Sequence, residues 1–167
     1  MPGPNPAPPL VERAVAPMSQ RRCRRGCRSV EQSLQKLVLL PVTALYAGLL
    51  ALILLPLSAR VIGIRRRQRI SLLDGADPRL TRAIRAHGNF IEYVPIALIL
   101  MLVDEINGAA AWLLHPLGLL LLGGRLAHAY ALTTDPRSPL RVAGMGCTLT
   151  AIGLGGGLAL WQVAGAL

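Results

Sequence analysis

The stretch Arg82-Ala83-Ile84-Arg85-Ala86-His87-Gly88-Asn89-Phe90-Ile91-Glu92-Tyr93-Val94-Pro95 runs without interruption into the apolar residues 96–103. Its polar side chains therefore enter a hydrophobic helix instead of stopping short of it. At about 100° per residue, Arg85, Asn89 and Glu92 fall within an arc of roughly 60° on such a helix. They form one polar stripe on an otherwise apolar rod. A charge at the centre of a membrane helix costs roughly 2.5–3.5 kcal/mol on insertion scales, so these groups must face other helices, water or a ligand. Two arrangements satisfy the stripe: an Arg85–Glu92 clamp that holds a bundle together, and a site for a polar ligand. Convergence of a guanidinium, an amide and a carboxylate favours the ligand site over a bare ion pair.

The composition sets the class. The 167 residues are 53% hydrophobic, 4% aromatic and 16% charged, with a mean hydropathy of +0.49. That balance belongs to a small integral membrane protein and not to a soluble domain. The net charge of +10 invites a nucleic-acid reading. The arginines, however, lie in an N-terminal tail and in short segments beside apolar runs, where positive charge sets membrane orientation. No nucleic-acid partner is expected. Cys23 and Cys27 lie in the basic tail and Cys147 in an apolar run, which gives neither a disulfide framework nor a metal-ligand spacing.

Residues 1–35 combine a Pro-rich start with the basic run Arg21-Arg22-Cys23-Arg24-Arg25-Gly26-Cys27-Arg28. They read as a disordered tail without chemistry of its own, and Met18 is an alternative start. A cleaved signal peptide is not expected, because the apolar stretch that follows is too long for one. Residues 36–167 read as the membrane domain. Its four apolar spans are 37–59, 84–103, 109–132 and 140–163, each long enough to cross ~30 Å of hydrocarbon. A basic loop from Arg60 to Arg69, an acidic turn at Asp104-Glu105-Ile106-Asn107-Gly108 and a turn at Asp135-Pro136-Arg137-Ser138-Pro139 connect them. Pro95 predicts a kink, and Gly144, Gly153 and Gly157 predict close helix approach, the last two as a Gly-x-x-x-Gly pair. The expected fold is all-α: an integral membrane four-helix bundle.

Antiparallel packing brings Arg82, Arg85, His87, Asn89 and Glu92 of the second span to the same end as Arg125 and His128 of the third. The basic loop, Arg137 and Arg141 join them there. One end of the bundle should be polar and cationic and the other bland. Such an end suits an anionic, water-soluble molecule beside apolar helices that hold a lipophilic one. With the tail left out, the positive-inside rule puts this end in the cytoplasm and both termini outside.

The pattern Asp77-Pro78, Arg82 and Arg85-Ala86-His87-x-Asn89-x-x-Glu92 resembles the second helix of the membrane-associated proteins in eicosanoid and glutathione metabolism, the MAPEG family. Arg125-x-x-His128 and Pro139-Leu140-Arg141 are similar to segments of its prostaglandin-synthase member, and the resemblance covers roughly residues 46–161. It implies a homotrimer in a bacterial inner membrane, with glutathione as co-substrate bound between neighbouring subunits near the cytoplasmic face. Arg85, Asn89 and Glu92 would then hold the glutathione backbone, Glu92 at its α-amino group and Arg85 at a carboxylate. Arg125 and His128 would add contacts, one of Arg65, Arg66 and Arg67 a further carboxylate contact, and Arg82 and His87 join as binding candidates from the same motif. Arg141 would stabilise the thiolate, as a guanidinium does by charge and hydrogen bonding, with Arg137 as the alternative. The implied reaction is glutathione transfer to a lipophilic electrophile, or reduction of a hydroperoxide. Val142 stands where the prostaglandin synthase has serine, and Leu132 where members often carry tyrosine, so that enzyme's isomerase chemistry is not implied.

Other classes make different demands. A non-catalytic membrane scaffold could share the same helices. A small proton-coupled exporter resembles a pattern with an acid in the first span, and residues 37–59 contain none. A haem protein would need pairs among His87, His115 and His128 to face each other across the bundle.

Overall fold

A computed structural model describes residues 40–134 and 137–166; the tail reading of residues 1–35 lies outside them. Four helices follow in order: α1 (Pro41–Gln68), α2 (Pro78–Ile106), α3 (Ala111–Thr134) and α4 (Pro139–Ala166). Helices α2 and α3 lie side by side at the centre. Each touches both outer helices, while α3 and α4 share the most extensive contact. The section is therefore a rhombus with α1 and α4 at its far corners.

The sequence explains where the helices begin. Asp77 caps α2, its carboxylate accepting from the Arg79 amide at 2.7 Å, and Pro78 supplies a preset first turn. Ser138 and Pro139 do the same for α4, where Ser138 Oγ accepts from the Leu140 amide at 3.3 Å. Leu40 offers α1 no side-chain cap. Glu105, at the end of α2, replaces it: its two oxygens accept from the amides of Val42 (3.0 Å) and Thr43 (2.8 Å). A carboxylate also complements the positive end of the α1 dipole. Glu105→Gln should lower the melting temperature of the detergent-solubilised protein, at a cost of about 1 kcal/mol.

Three expectations about boundaries change. The segment read as a basic loop from Arg60 is helical to Gln68, because arginine is a good helix former and cations favour a helix C-terminus. Asp104 and Glu105 lie inside α2 and not in a turn, and α2 runs through Pro95 as one helix. Finally, three of the four helices, α1, α2 and α4, are long and apolar enough to cross a membrane. Helix α3 lacks one unbroken apolar stretch of that length, since His115, Pro116, Arg125 and His128 interrupt it. It is also the helix with the most buried residues, so its neighbours shield Arg125 and His128, while His115 stays exposed.

Glycine packing differs in the same way. Gly153 and Gly157 have open space where a side chain would stand, so among the described residues nothing packs closely against the Gly-x-x-x-Gly pair. The close approach is at Gly124 and Gly144, where α3 and α4 nearly touch. A methyl group on Gly144 would sit 2.6 Å from the Gly124 carbonyl oxygen. Gly118 gives similar room to the Tyr46 ring.

Candidate functional site

At the basic end, α2, α3 and the start of α4 enclose an open pocket of about 650 Å³. Its polar wall is Arg85, Asn89, Glu92, His128 and Arg141; Ile84, Gly88, Leu132, Val142 and Met145 complete it. Arg85, Gly88, Asn89 and Glu92 stand at i, i+3, i+4 and i+7, which is what aligns them on one face of α2. The Arg85–Glu92 clamp does not form: among the described residues neither side chain has a hydrogen-bond or ion-pair partner.

Behind this wall lies a buried guanidinium. Arg125 is 1% exposed and does not line the pocket. It donates from Nη2 to Asn89 Oδ1 at 2.6 Å and from Nη1 to Thr148 Oγ1 at 3.4 Å, and it stacks over the Phe90 ring at 5.9 Å from the centroid. The Thr148 hydroxyl donates in turn to the Gly144 carbonyl at 2.9 Å, leaving its lone pairs for Arg125. Guanidinium only donates, so the contact fixes which way the Asn89 amide points: oxygen toward Arg125, NH2 elsewhere. Asn89 therefore has its NH2 donors unengaged by Arg125. Sequence reasoning placed Arg125 among the binding candidates; in the fold it stands behind the pocket wall and holds Asn89, which lines the pocket.

His128 is tied down as well. Its Nδ1 lies 3.0 Å from the Arg141 carbonyl oxygen. A carbonyl accepts only, so Nδ1 carries the proton and Nε2 alone remains for a ligand. The same bond anchors the first turn of α4, from which the Arg141 side chain reaches the pocket. Arg82, His87 and Arg137 are not among the lining residues. A smaller cavity of about 330 Å³, lined by Leu73, Asp74, Thr81, Ile84 and Arg85, adjoins the pocket through its last two residues. Asp74 there accepts from the Thr81 hydroxyl (2.7 Å) and the Ala76 amide (3.2 Å). Those bonds, Thr81's foremost, hold its carboxyl below the usual carboxylate range.

The site as built offers cationic groups at Arg85 and Arg141, donors at Asn89, and one carboxylate at Glu92. That set fits a zwitterionic ligand with an ammonium group and more than one negative charge. Sequence reasoning did not single out Ile84, Gly88, Met145 or Thr148. Helical spacing was the available signal for Gly88 (three after Arg85), Met145 (four after Arg141) and Ile84 (four before Gly88); Thr148, which supports Arg125, carried none.

The far end of the bundle is not bland. Asp104 is fully buried, and neither of its carboxylate oxygens has a partner among the described residues. Gln162 donates to the Asp104 carbonyl at 3.3 Å, and the Tyr46 hydroxyl lies 3.0 Å from the His115 carbonyl. His115 is thereby engaged with Tyr46 across α1 and α3. No group of three or more His, Cys, Asp or Glu suited to a metal exists among the described residues.

Comparison with known proteins gives two results. The MAPEG family model matches residues 43–161. Two curated relatives, each an inner membrane protein YecN, from Escherichia coli strain K12 and strain O6:H1, are 49% identical over 89 residues, covering 53% of this chain and 68% of the relative.

Proposed function

The chain belongs to the MAPEG family, and from that premise we propose that it is a glutathione-dependent transferase or peroxidase acting on a lipophilic electrophile or hydroperoxide as a homotrimer. It is a multi-pass protein of a bacterial inner membrane. The observation that carries the reading is the pair Arg85 and Glu92, opposite charges on one apolar helix, both facing a pocket and both without a partner among the described residues. Unpaired charges at membrane depth call for a ligand or a neighbouring subunit to compensate them.

Glutathione meets those demands group by group. Glu92 accepts from its ammonium. Arg85 and the Asn89 amide NH2 donate to its carboxylates and carbonyls. Arg141 stabilises the sulfur as thiolate, the form that attacks. A subunit packed against the exposed face of α2 would shut Arg85 and Glu92 away from lipid, which is why the proposal includes the trimer. The apolar walls Ile84, Leu132, Val142 and Met145 would receive the lipophilic partner.

Calorimetric titration of glutathione into detergent-purified protein tests this. Saturable binding should appear in wild type and weaken at least about tenfold in Arg85→Ala, the loss expected for a charged hydrogen bond of 1.5–3 kcal/mol. Glu92→Gln should weaken binding while the oligomer stays intact by size-exclusion chromatography with light scattering. Unchanged binding in Glu92→Gln would remove it from the ammonium site. Absence of binding at millimolar glutathione would leave a non-catalytic membrane protein on the same fold, the reading favoured by Val142 beside Arg141, where no hydroxyl assists the guanidinium.

A further inference from the structure

The loop between α1 and α2 carries the two most exposed large hydrophobic residues of the described chain, Leu72 at 79% and Leu73 at 83%. Its depth follows from the hydrogen bonds. Helix α1 is uncharged from Pro41 to Ala59, about 28 Å at 1.5 Å per residue, so Arg60 stands at the edge of a ~30 Å hydrocarbon layer. The Arg60 guanidinium donates to the Thr133 carbonyl at 3.4 Å, which sets Thr133 near the same level. Arg125, just over two turns further in, lies about 12 Å deeper, and Asn89 is level with it through their hydrogen bond. Just over two turns back along α2, Thr81 returns to about the edge. Thr81 holds Asp74 at 2.7 Å, so the loop comes back to the hydrocarbon boundary beside Leu73.

The chain reaches that level by folding back on itself. The Ile70 amide donates to the Arg65 carbonyl (3.1 Å) and Arg65 Nη1 to the Ser71 carbonyl (3.3 Å). Leu73 adopts a left-handed backbone, φ 55°, which bulky side chains avoid. Asp74, bonded to Ala76 and Thr81, pins the loop in that shape. The result is a fixed hydrophobic tip flanked by the exposed Arg66, Arg67 and Arg69.

We propose that this loop is a lipid-anchoring wedge: Leu72 and Leu73 enter the acyl boundary of the leaflet while Arg66, Arg67 and Arg69 hold the phosphates of anionic phospholipids. The basic run and the paired leucines match the two layers such a lipid presents, charge outside and hydrocarbon within. The smaller cavity, with Leu73 and Ile84 on its wall, thus opens at the level where an amphiphile lies in the membrane.

The test uses the full chain with Trp112→Phe and Trp161→Phe, adding Leu73→Trp or, separately, Leu72→Trp. Each is reconstituted into phosphatidylcholine vesicles with or without phosphatidylglycerol. Lipids brominated high on the acyl chain should quench the new tryptophan severalfold more than iodide supplied on both sides of the membrane. Replacing phosphatidylglycerol, or making Arg66→Gln, Arg67→Gln and Arg69→Gln together, should reduce that quenching. Stronger quenching by iodide at both positions overturns the wedge. So does protection from both quenchers, which would mean that protein covers the loop, and so does indifference to the anionic lipid.

Discussion

Gly144→Ala should destabilise the bundle more than any other single methyl group added to α4. The new carbon would lie 2.6 Å from the Gly124 carbonyl oxygen and 2.7 Å from the His128 amide nitrogen. Both are backbone atoms of α3, which no rotamer change can move away. Relief requires the helices to separate, and overpacking of this kind costs about 1–3 kcal/mol. The damage should reach the pocket, because α3 and α4 are also joined there by His128 and the Arg141 carbonyl, and by Arg125 and Thr148. Thermal melts in detergent should show a clear drop for Gly144→Ala and almost none for Gly153→Ala, where nothing lies within 4 Å of the added carbon. Equal melting temperatures would mean that α3 and α4 stand further apart at Gly124 and Gly144 than these distances.

Arg141→Ala should have the largest effect on chemistry under the proposed reaction. Its guanidinium lines the pocket and its backbone is held by His128, so truncation removes a charge without unfastening the turn. A thiolate differs from the bound thiol by one negative charge, and a donor aimed at developing charge typically contributes about 10²–10³ in rate. Turnover with a model electrophile should fall by about that factor, while the glutathione affinity, set by Arg85, Asn89 and Glu92, should change little. The pH profile gives an independent readout, because loss of the guanidinium should move the rate's rise to higher pH. A large loss of affinity with the rate per bound complex preserved would reassign Arg141 to binding. If Arg137→Ala reproduces the rate loss instead, the role lies one turn earlier.

Much of the fold was legible because membrane helices must satisfy their backbones internally, so apolar runs separated by Pro and Gly leave few choices. The polar stripe was legible for the same reason: Arg85, Asn89 and Glu92 on an apolar helix must face a partner, water or a ligand, and the fold turns them to a pocket. What could not be read were contacts between helices. Nothing in the spacing of Arg125 shows that it reaches Asn89 and not the ligand. Nothing around Gly153 and Gly157 shows that the tight crossing is at Gly124 and Gly144. Charge also misled at the boundaries. Arg60 to Arg67 marks where α1 leaves the hydrocarbon, not where the helix stops, and Asp104 is charged by sequence yet buried by packing.

The Glu105 cap on α1 bears on how the chain is made. Peptide groups of α1 reach the membrane first, but the carboxylate that satisfies Val42 and Thr43 is synthesised only at the end of α2. Until then the leading turn of α1 has two amides open to whatever surrounds it. The first two helices thus become a closed hairpin only when Glu105 has emerged from the ribosome. Nascent chains arrested while Glu105 is still inside the ribosome should hold α1 less firmly than chains long enough for Glu105 to have emerged.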